Sequence, residues 1–208
     1  MISSETLNDY LARLASRQPT PGGGAAAALH AAQGAALVAM VARYTTGEKY
    51  GQHKELITRI TGTADHLITE ALRLADADEQ AFQGVIDSYK LPSGTEELKA
   101  ARAAGIQGAL VNAARTPAQL IQLAGEVVEL ATELFDVANP NVISDVAAAA
   151  DAARAAATTA RVNIDINLAA IKDGDARSAL AEQTNGLEDK VVLAADSLAA
   201  RVRERILA

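Results

Sequence analysis

Two carboxylates and two carboxamides in this sequence stand where helical periodicity calls for apolar side chains. Ile60, Ala64, Leu67, Ala71 and Leu74 recur every three or four residues, and the same stripe continues through Asp78 to Phe82, Val85 and Tyr89. Asp78 is thus predicted to face the seam of a bundle. A carboxylate there is costly unless it is paired or put to use. Burial raises its pKa, which suits a group that must take a proton and return it near neutrality. Asp76, two residues earlier and about 200° round the helix, is expected to face solvent. An exposed acid at a frayed or kinked stretch would also explain Asp78, and both readings stay open.

The anomaly recurs further on. Asp145, Ala149, Ala152, Ala156, Asn163 and Asn167 share one helical face. Asp145 and Asn163 are about five turns, or about 27 Å, apart if the helix is continuous. They cannot touch one small ligand within one protomer. They could lie along an elongated ligand, or belong to two sites built across a dimer. Hydrogen bonding between helices accounts equally well for the asparagines, and an acid near a helix start is favoured by the dipole.

A third feature is the stretch Gln18-Pro19-Thr20-Pro21-Gly22-Gly23-Gly24-Ala25. Glycine lets another group approach the backbone closely. A helix opening just after the glycines would aim its free N–H groups into the loop, forming an anion site. Punctuation of a loop is the plainer reading. The stretch lacks G-K-[ST] and a preceding strand, so it is neither a P-loop nor a dinucleotide fingerprint.

The elements that must position these residues are all helical. Leu7, Tyr10, Leu11 and Leu14 mark a short amphipathic helix capped by Ser3 or Ser4. A second, apolar on nearly every face, runs from about Ala25 to Thr45 and ends at Gly47. A third covers Gln52 to Tyr89, closed by Leu91-Pro92-Ser93-Gly94. Ser93 with Glu96 reads as a capping box for a fourth, Thr95 to about Ala114. Thr116-Pro117-Ala118-Gln119 signals a fifth, with Thr as cap and Pro in the first turn. It runs to Asn139-Pro140. Ser144 caps a sixth, reaching about Lys172, and a last helix spans Ala176 to Leu207, disturbed at Asn185-Gly186. No segment alternates as a strand. The expectation is an all-α, single-domain antiparallel bundle (residues 1–208) of about seven helices around a central small-residue helix.

Composition agrees. Half of the 208 residues are hydrophobic but only 3% are aromatic, so alanine and leucine must do the packing. A net charge of −7 argues against a broad nucleic-acid-binding face. There is no cysteine, so a thiolate metal site is excluded, and His30, His53 and His66 form no ligand motif. His30 reads most simply as a core histidine. The Ala25–Ala42 run reads as a buried helix rather than a membrane span, and Met1–Arg17, with Glu5 and Asp9 and no apolar block, does not resemble a signal peptide. A cytoplasmic location is expected.

Taken together, Pro21-Gly22-Gly23-Gly24 before a small-residue helix, Ala39-Met40-Val41-Ala42 and Thr46-Gly47 resemble the opening of the formiminotransferase-cyclodeaminase C-terminal family. Asp76-Ala77-Asp78-Glu79-Gln80-Ala81-Phe82, Leu91-Pro92, and Glu96-Glu97-Leu98-Lys99 with Arg102 and Gln107 continue the likeness. Asn139-Pro140-Asn141-Val142-Ile143-Ser144-Asp145 and Asn163-Ile164-Asp165-Ile166-Asn167 match later blocks in order. The resemblance spans residues 4 to 205. Ala25 departs from it, standing where a serine commonly follows the glycines, and Gly47-Glu48-Lys49-Tyr50 is less basic than usual.

The resemblance implies an all-α homodimer acting on one-carbon forms of tetrahydrofolate, with a folate as substrate and no cofactor, nucleic acid or membrane partner. Two activities fall within it: a free-standing methenyltetrahydrofolate cyclohydrolase and a formimidoyltetrahydrofolate cyclodeaminase. It makes Asp78 the first candidate for proton transfer and Asp145 the second, as its partner or as a stabiliser of the cationic amidinium. Pro21, Gly22, Gly23 and Gly24 would meet a carboxylate of the glutamyl tail or the polar edge of the pterin. Lys49 and Arg102 would take the tail, Asn163 and Asn167 the pterin, and Asn141 and Ser144 would add substrate contacts. A catalytically silent helical interaction module on the same fold is the rival expectation.

Overall fold

Alanine costs no side-chain entropy in a helix and lets neighbouring backbones approach closely, and the alanine-rich helix is the one the others surround. The computed structural model describes residues 1–208. Its α-helices are α1 (Leu7–Leu14), α2 (Gly23–Tyr44), α3 (Lys54–Tyr89), α4 (Glu96–Ala113), α5 (Arg115–Phe135), α6 (Ile143–Ala170), α7 (Gly174–Thr184) and α8 (Leu187–Leu207). Short 3-10 turns occupy Ile2–Ser4, Glu48–His53 and Pro140–Val142, and there is no strand.

α2 packs against α3, α5 and α6, burying Ala27, Ala28, Ala31, Ala35, Val38 and Ala39. Where it crosses α6 the backbones nearly touch: a β-carbon on Gly34 would stand 3.1 Å from the Ala149 carbonyl oxygen and from Val127 Cγ1. By length and mean hydropathy α2 could cross a membrane, yet most of that stretch lies inside the bundle. Leucine and isoleucine fill the space around it, with Ile60, Leu120, Ile121, Leu134, Ile164 and Leu198 fully buried. Each such side chain contributes about 1.5–3 kcal/mol. A smaller cluster of Val85, Leu110, Ala113, Ala114, Ile171 and Leu180 ties the end of α3 to α4 and α7.

The helical content matches the sequence reading, while several boundaries differ for local reasons. Ser3 and Ser4 lie in a 3-10 turn, and Thr6 caps α1 by accepting the Asp9 N–H at 3.2 Å. Thr95 rather than Ser93 caps α4, accepting from Leu98 N–H. α5 starts at Arg115, with Ala114 alone separating it from α4. Thr116 and Pro117 fall inside the first turn, where proline gives up no intrahelical bond. Asn139 caps the Pro140–Val142 turn that leads into α6, so Ser144 is already helical. The last predicted helix is two, because Gly186 takes a left-handed conformation (φ 68°) between α7 and α8. Asp173 caps the first of them. Asp76 corrects a sharper expectation: it is half-buried and accepts the Ile2 N–H at 2.7 Å. The N-terminal segment covers a face of α3 that periodicity assigns to solvent.

Candidate functional site

The first turn of α2 has no side-chain cap. Gly22, at its N-cap, is extended (φ −137°, ψ −153°), and the first helical bond runs from Ala26 N–H to the Gly22 carbonyl at 3.0 Å. The N–H groups of Gly23, Gly24 and Ala25 therefore lack helical partners, and the positive end of the helix is left to be met by something else. What meets it is Asp78. Its carboxylate, carried in on α3, lies so close to the Gly24 backbone that a β-carbon there would overlap its Cγ and both oxygens. A side chain at Gly23 would likewise press on Asn163, at 3.2 Å from Nδ2.

Burial pushes the Asp78 carboxyl up to about 6. The backbone amide of Ala25 opposes that rise, and the charge of the neighbouring Glu79 adds to it. The outcome is a half-buried acid that titrates close to neutrality while facing fixed donors, as a proton-transfer group requires.

Asp78 opens onto a cavity of about 220 Å³. Thr20 and the three glycines form one wall and Phe82 of α3 another. Asn163, Ile166 and Asn167 close the third side from α6. The asparagine amides are held by the helix itself: Asn163 Nδ2 donates to the Thr159 carbonyl at 2.8 Å, and Asn167 Nδ2 to the Asn163 carbonyl at 2.9 Å. Each keeps its Oδ1 as an acceptor for a ligand donor. Pro21 is buried next to this wall, after a cis Thr20–Pro21 bond.

The structure thus gathers Pro21, Gly22, Gly23, Gly24, Asp78, Asn163 and Asn167, and leaves the other candidates elsewhere. α6 is unbroken, so Asp145 and Asn163 are about 27 Å apart in one protomer. Asn141 and Ser144 are exposed beside Asp145 at that far end. Lys49 lies in the Glu48–His53 turn, its ammonium 4.6 Å from the Tyr50 ring centroid. Arg102 donates to the Tyr89 carbonyl at 2.7 Å and so closes the end of α3. Thr20, Phe82 and Ile166 were not among the sequence candidates. Phe82 could have been, since it follows Asp78 by one turn on the same face.

A larger groove, about 560 Å³, lies at the other end of α2, between Arg43, Thr45, Tyr50 and Lys54. Its carboxylate, Asp65, is already paired with Arg43 at 2.6 Å.

Comparison with known proteins bears on the family and the fold. The family model described as formiminotransferase-cyclodeaminase matches residues 6–186. A methenyltetrahydrofolate cyclohydrolase of Methylorubrum extorquens is 38% identical over 174 residues, 83% of this chain and 84% of that protein. The formimidoyltransferase-cyclodeaminase of Mus musculus is 32% identical over 81% of this chain, which spans 31% of that longer protein. The crystal structure of a formiminotetrahydrofolate cyclodeaminase from Thermotoga maritima superposes over the full length of both chains, with a TM-score of 0.88 at 28% identity.

Proposed function

The chain belongs to the formiminotransferase-cyclodeaminase family, and on that footing we propose that it hydrolyses 5,10-methenyltetrahydrofolate to 10-formyltetrahydrofolate by acid–base catalysis. The observation that carries the proposal is the Asp78 carboxyl, titrating near 6 against the open turn of α2.

The chemistry asks for little beyond proton transfer. A water oxygen bonds to the methenyl carbon while Asp78 takes one of its protons, which discharges the amidinium and leaves a tetrahedral carbon between N5 and N10. The bond to N5 then breaks, and Asp78 returns its proton to that nitrogen. The remaining hydroxyl proton leaves to solvent as the formyl carbonyl forms. At pH 7 an acid with a pKa of about 6 is mostly ionised, so it starts as base. It remains acidic enough to hand the proton on. General acid–base catalysis of this kind contributes about 10²–10⁴-fold. The substrate is a folate and no further cofactor is invoked.

A cavity of about 220 Å³ is smaller than the roughly 300–1,000 Å³ of ordinary ligand pockets. It suits one end of a folate, with a second protomer covering the rest. The accessible surface of 11087 Å² exceeds the roughly 9,200 Å² expected for a 21.5 kDa monomer. Val162 and Ile166 of α6 are 66% and 69% exposed, and Ile166 lines the cavity. An isologous pair packed through α6 sets the Asp145 end of one helix against the Asn163 end of its copy. In this reading Asp145 serves the partner's cavity, not its own.

Loss of methenyl absorbance tests the reaction, and Asp78→Asn should lower it by about 10²–10⁴-fold. Full activity in that variant would remove Asp78 from the mechanism. The full-length likeness to the Thermotoga cyclodeaminase favours a second reading, in which N10 closes on a formimino carbon and ammonia leaves. Ammonia release from formimidoyltetrahydrofolate distinguishes it. Failure to bind 5-formyltetrahydrofolate in calorimetry would instead point to a silent member of the fold.

A further inference from the structure

Another group of charges, none of them lining the cavity, is fastened to α3 beside Asp78. Arg13 of α1 donates to Glu79 Oε1 at 2.5 Å and also to Glu5 Oε1. The Glu79 and Glu5 side chains are 17% and 19% exposed and that of Arg13 33%, so water screens the two acids poorly. Tyr10, 4% exposed, packs into the same cluster. Burial, Glu79 and Glu5 push its phenol up, while Arg13 pulls it down. With the Ile2 N–H on Asp76, the N-terminal segment grips α3 at residues on both sides of Asp78.

Two consequences follow from this geometry. Arg13 lies nine positions before Gly22, so the helix that leads into the glycine loop is tied to the helix that carries the acid. The trio also holds one cation between two carboxylates. Without the cation, Glu79 would stand uncompensated next to Asp78 in a poorly screened environment, where charges act strongly on one another.

We propose that Arg13 is a positioning residue for the acid–base centre: it fastens the approach to the Gly22–Gly24 loop onto α3 and offsets part of the charge that Glu79 exerts on Asp78. The inference rests on Asp78 being the proton-transfer group. The other groups packed around Asp78 offer no substitute cation. α2 presents only backbone amides at Gly24 and Ala25, and α6 presents the neutral Asn163 and Asn167, its nearby Arg161 being paired with Asp165 at 2.5 Å. Arg115 of α5 is exposed over Ala77 and Ala81, outside the cavity.

The test is a carbon-detected NMR titration of the Asp78 carboxyl in the full chain, assigned with Asp78→Asn, alongside the pH profile of kcat/KM. Arg13→Gln should move the midpoint up by about half a pH unit and Glu79→Gln should move it down. The double variant should follow Glu79→Gln, and Arg13→Lys should restore the original midpoint. Two single variants that leave the midpoint unchanged, or move it in the same direction, would overturn the proposal. If Arg13→Gln does not fold, Glu79→Gln still decides it: with the Arg13 cation left unopposed the midpoint should fall, and an unchanged or raised midpoint would overturn the proposal. Because the NMR midpoint needs no turnover, a protein without folate activity but with opposed shifts would refute the catalytic reading and leave the coupling standing.

Discussion

The Asp78 carboxylate occupies the volume that a side chain at position 24 would fill. One residue supplies the acid and the other its absence of bulk, and neither has a use for the geometry alone. Gly24→Ala must therefore displace Asp78 or move α2 off α3. We expect a fall in kcat/KM of about 100-fold, since a shift on the order of 1 Å is enough for that. Overpacking should also cost about 1–3 kcal/mol in urea denaturation. Gly34→Ala, a milder overlap at 3.1 Å but against the Ala149 backbone and Val127, should show a stability loss with much less effect on catalysis.

The raised Asp78 pKa makes opposite predictions for activity and stability. Activity should rise with pH along a limb centred near 6, where the base becomes ionised. For stability, the folded protein binds the Asp78 proton more tightly than the unfolded chain, whose carboxyl titrates near 3.8. The stabilising contribution of the protonated acid is thus complete below about 3.8 and is lost as pH rises through about 6. At pH 7 the ionised group costs at most about 3 kcal/mol. Asp78→Asn should then be more stable than the parent at pH 7 by up to that amount, with the gap closing toward pH 4 as thermal unfolding is followed across pH.

Asn163 and Asn167 spend one N–H each on the α6 backbone and offer their carbonyl oxygens to the cavity. If those oxygens accept from the pterin, Asn167→Ala should raise KM about tenfold, the size of one lost hydrogen bond to a ligand, with kcat changed much less. A drop in kcat at unaltered KM would place the residue in the transition state instead.

The proposed pairing through α6 predicts a mass near twice 21.5 kDa in solution. Val162→Glu, which puts a charge on a side chain 66% exposed in the single chain, should yield a folded monomer with weak activity. Co-expression gives the stricter check. Mixed dimers of Asp78→Asn and Asp145→Asn should regain activity, because one of their two sites keeps both acids. No recovery would leave Asp145 without a role in the partner's cavity.

How far the sequence could be read depended on the range of the interaction concerned. Asp78 was legible because a period of 3.6 residues needs no partner to show which face a residue occupies. The glycine run was legible as an unusual backbone, though what approached it was not. Asp76 was misassigned by the same periodicity, since Ile2, seventy-four positions away, covers it. Thr116-Pro117 looked like a helix start because those residues carry the right local chemistry, but the helix begins two residues earlier, at Arg115.

By itself, then, the sequence determined the helical class, the alanine-rich centre, the acid in the α3 seam and the family resemblance. These follow from local propensity, periodicity and residue type. Only the tertiary structure decided that Gly24 and Asp78 share one volume, that Asn163 and Asn167 join them, and that Asp145, Lys49 and Arg102 do not. It also decided that Arg13 reaches Glu79. Those facts depend on how α1, α2, α3 and α6 cross, and crossings are set by side chains tens of residues apart that meet only when the core closes.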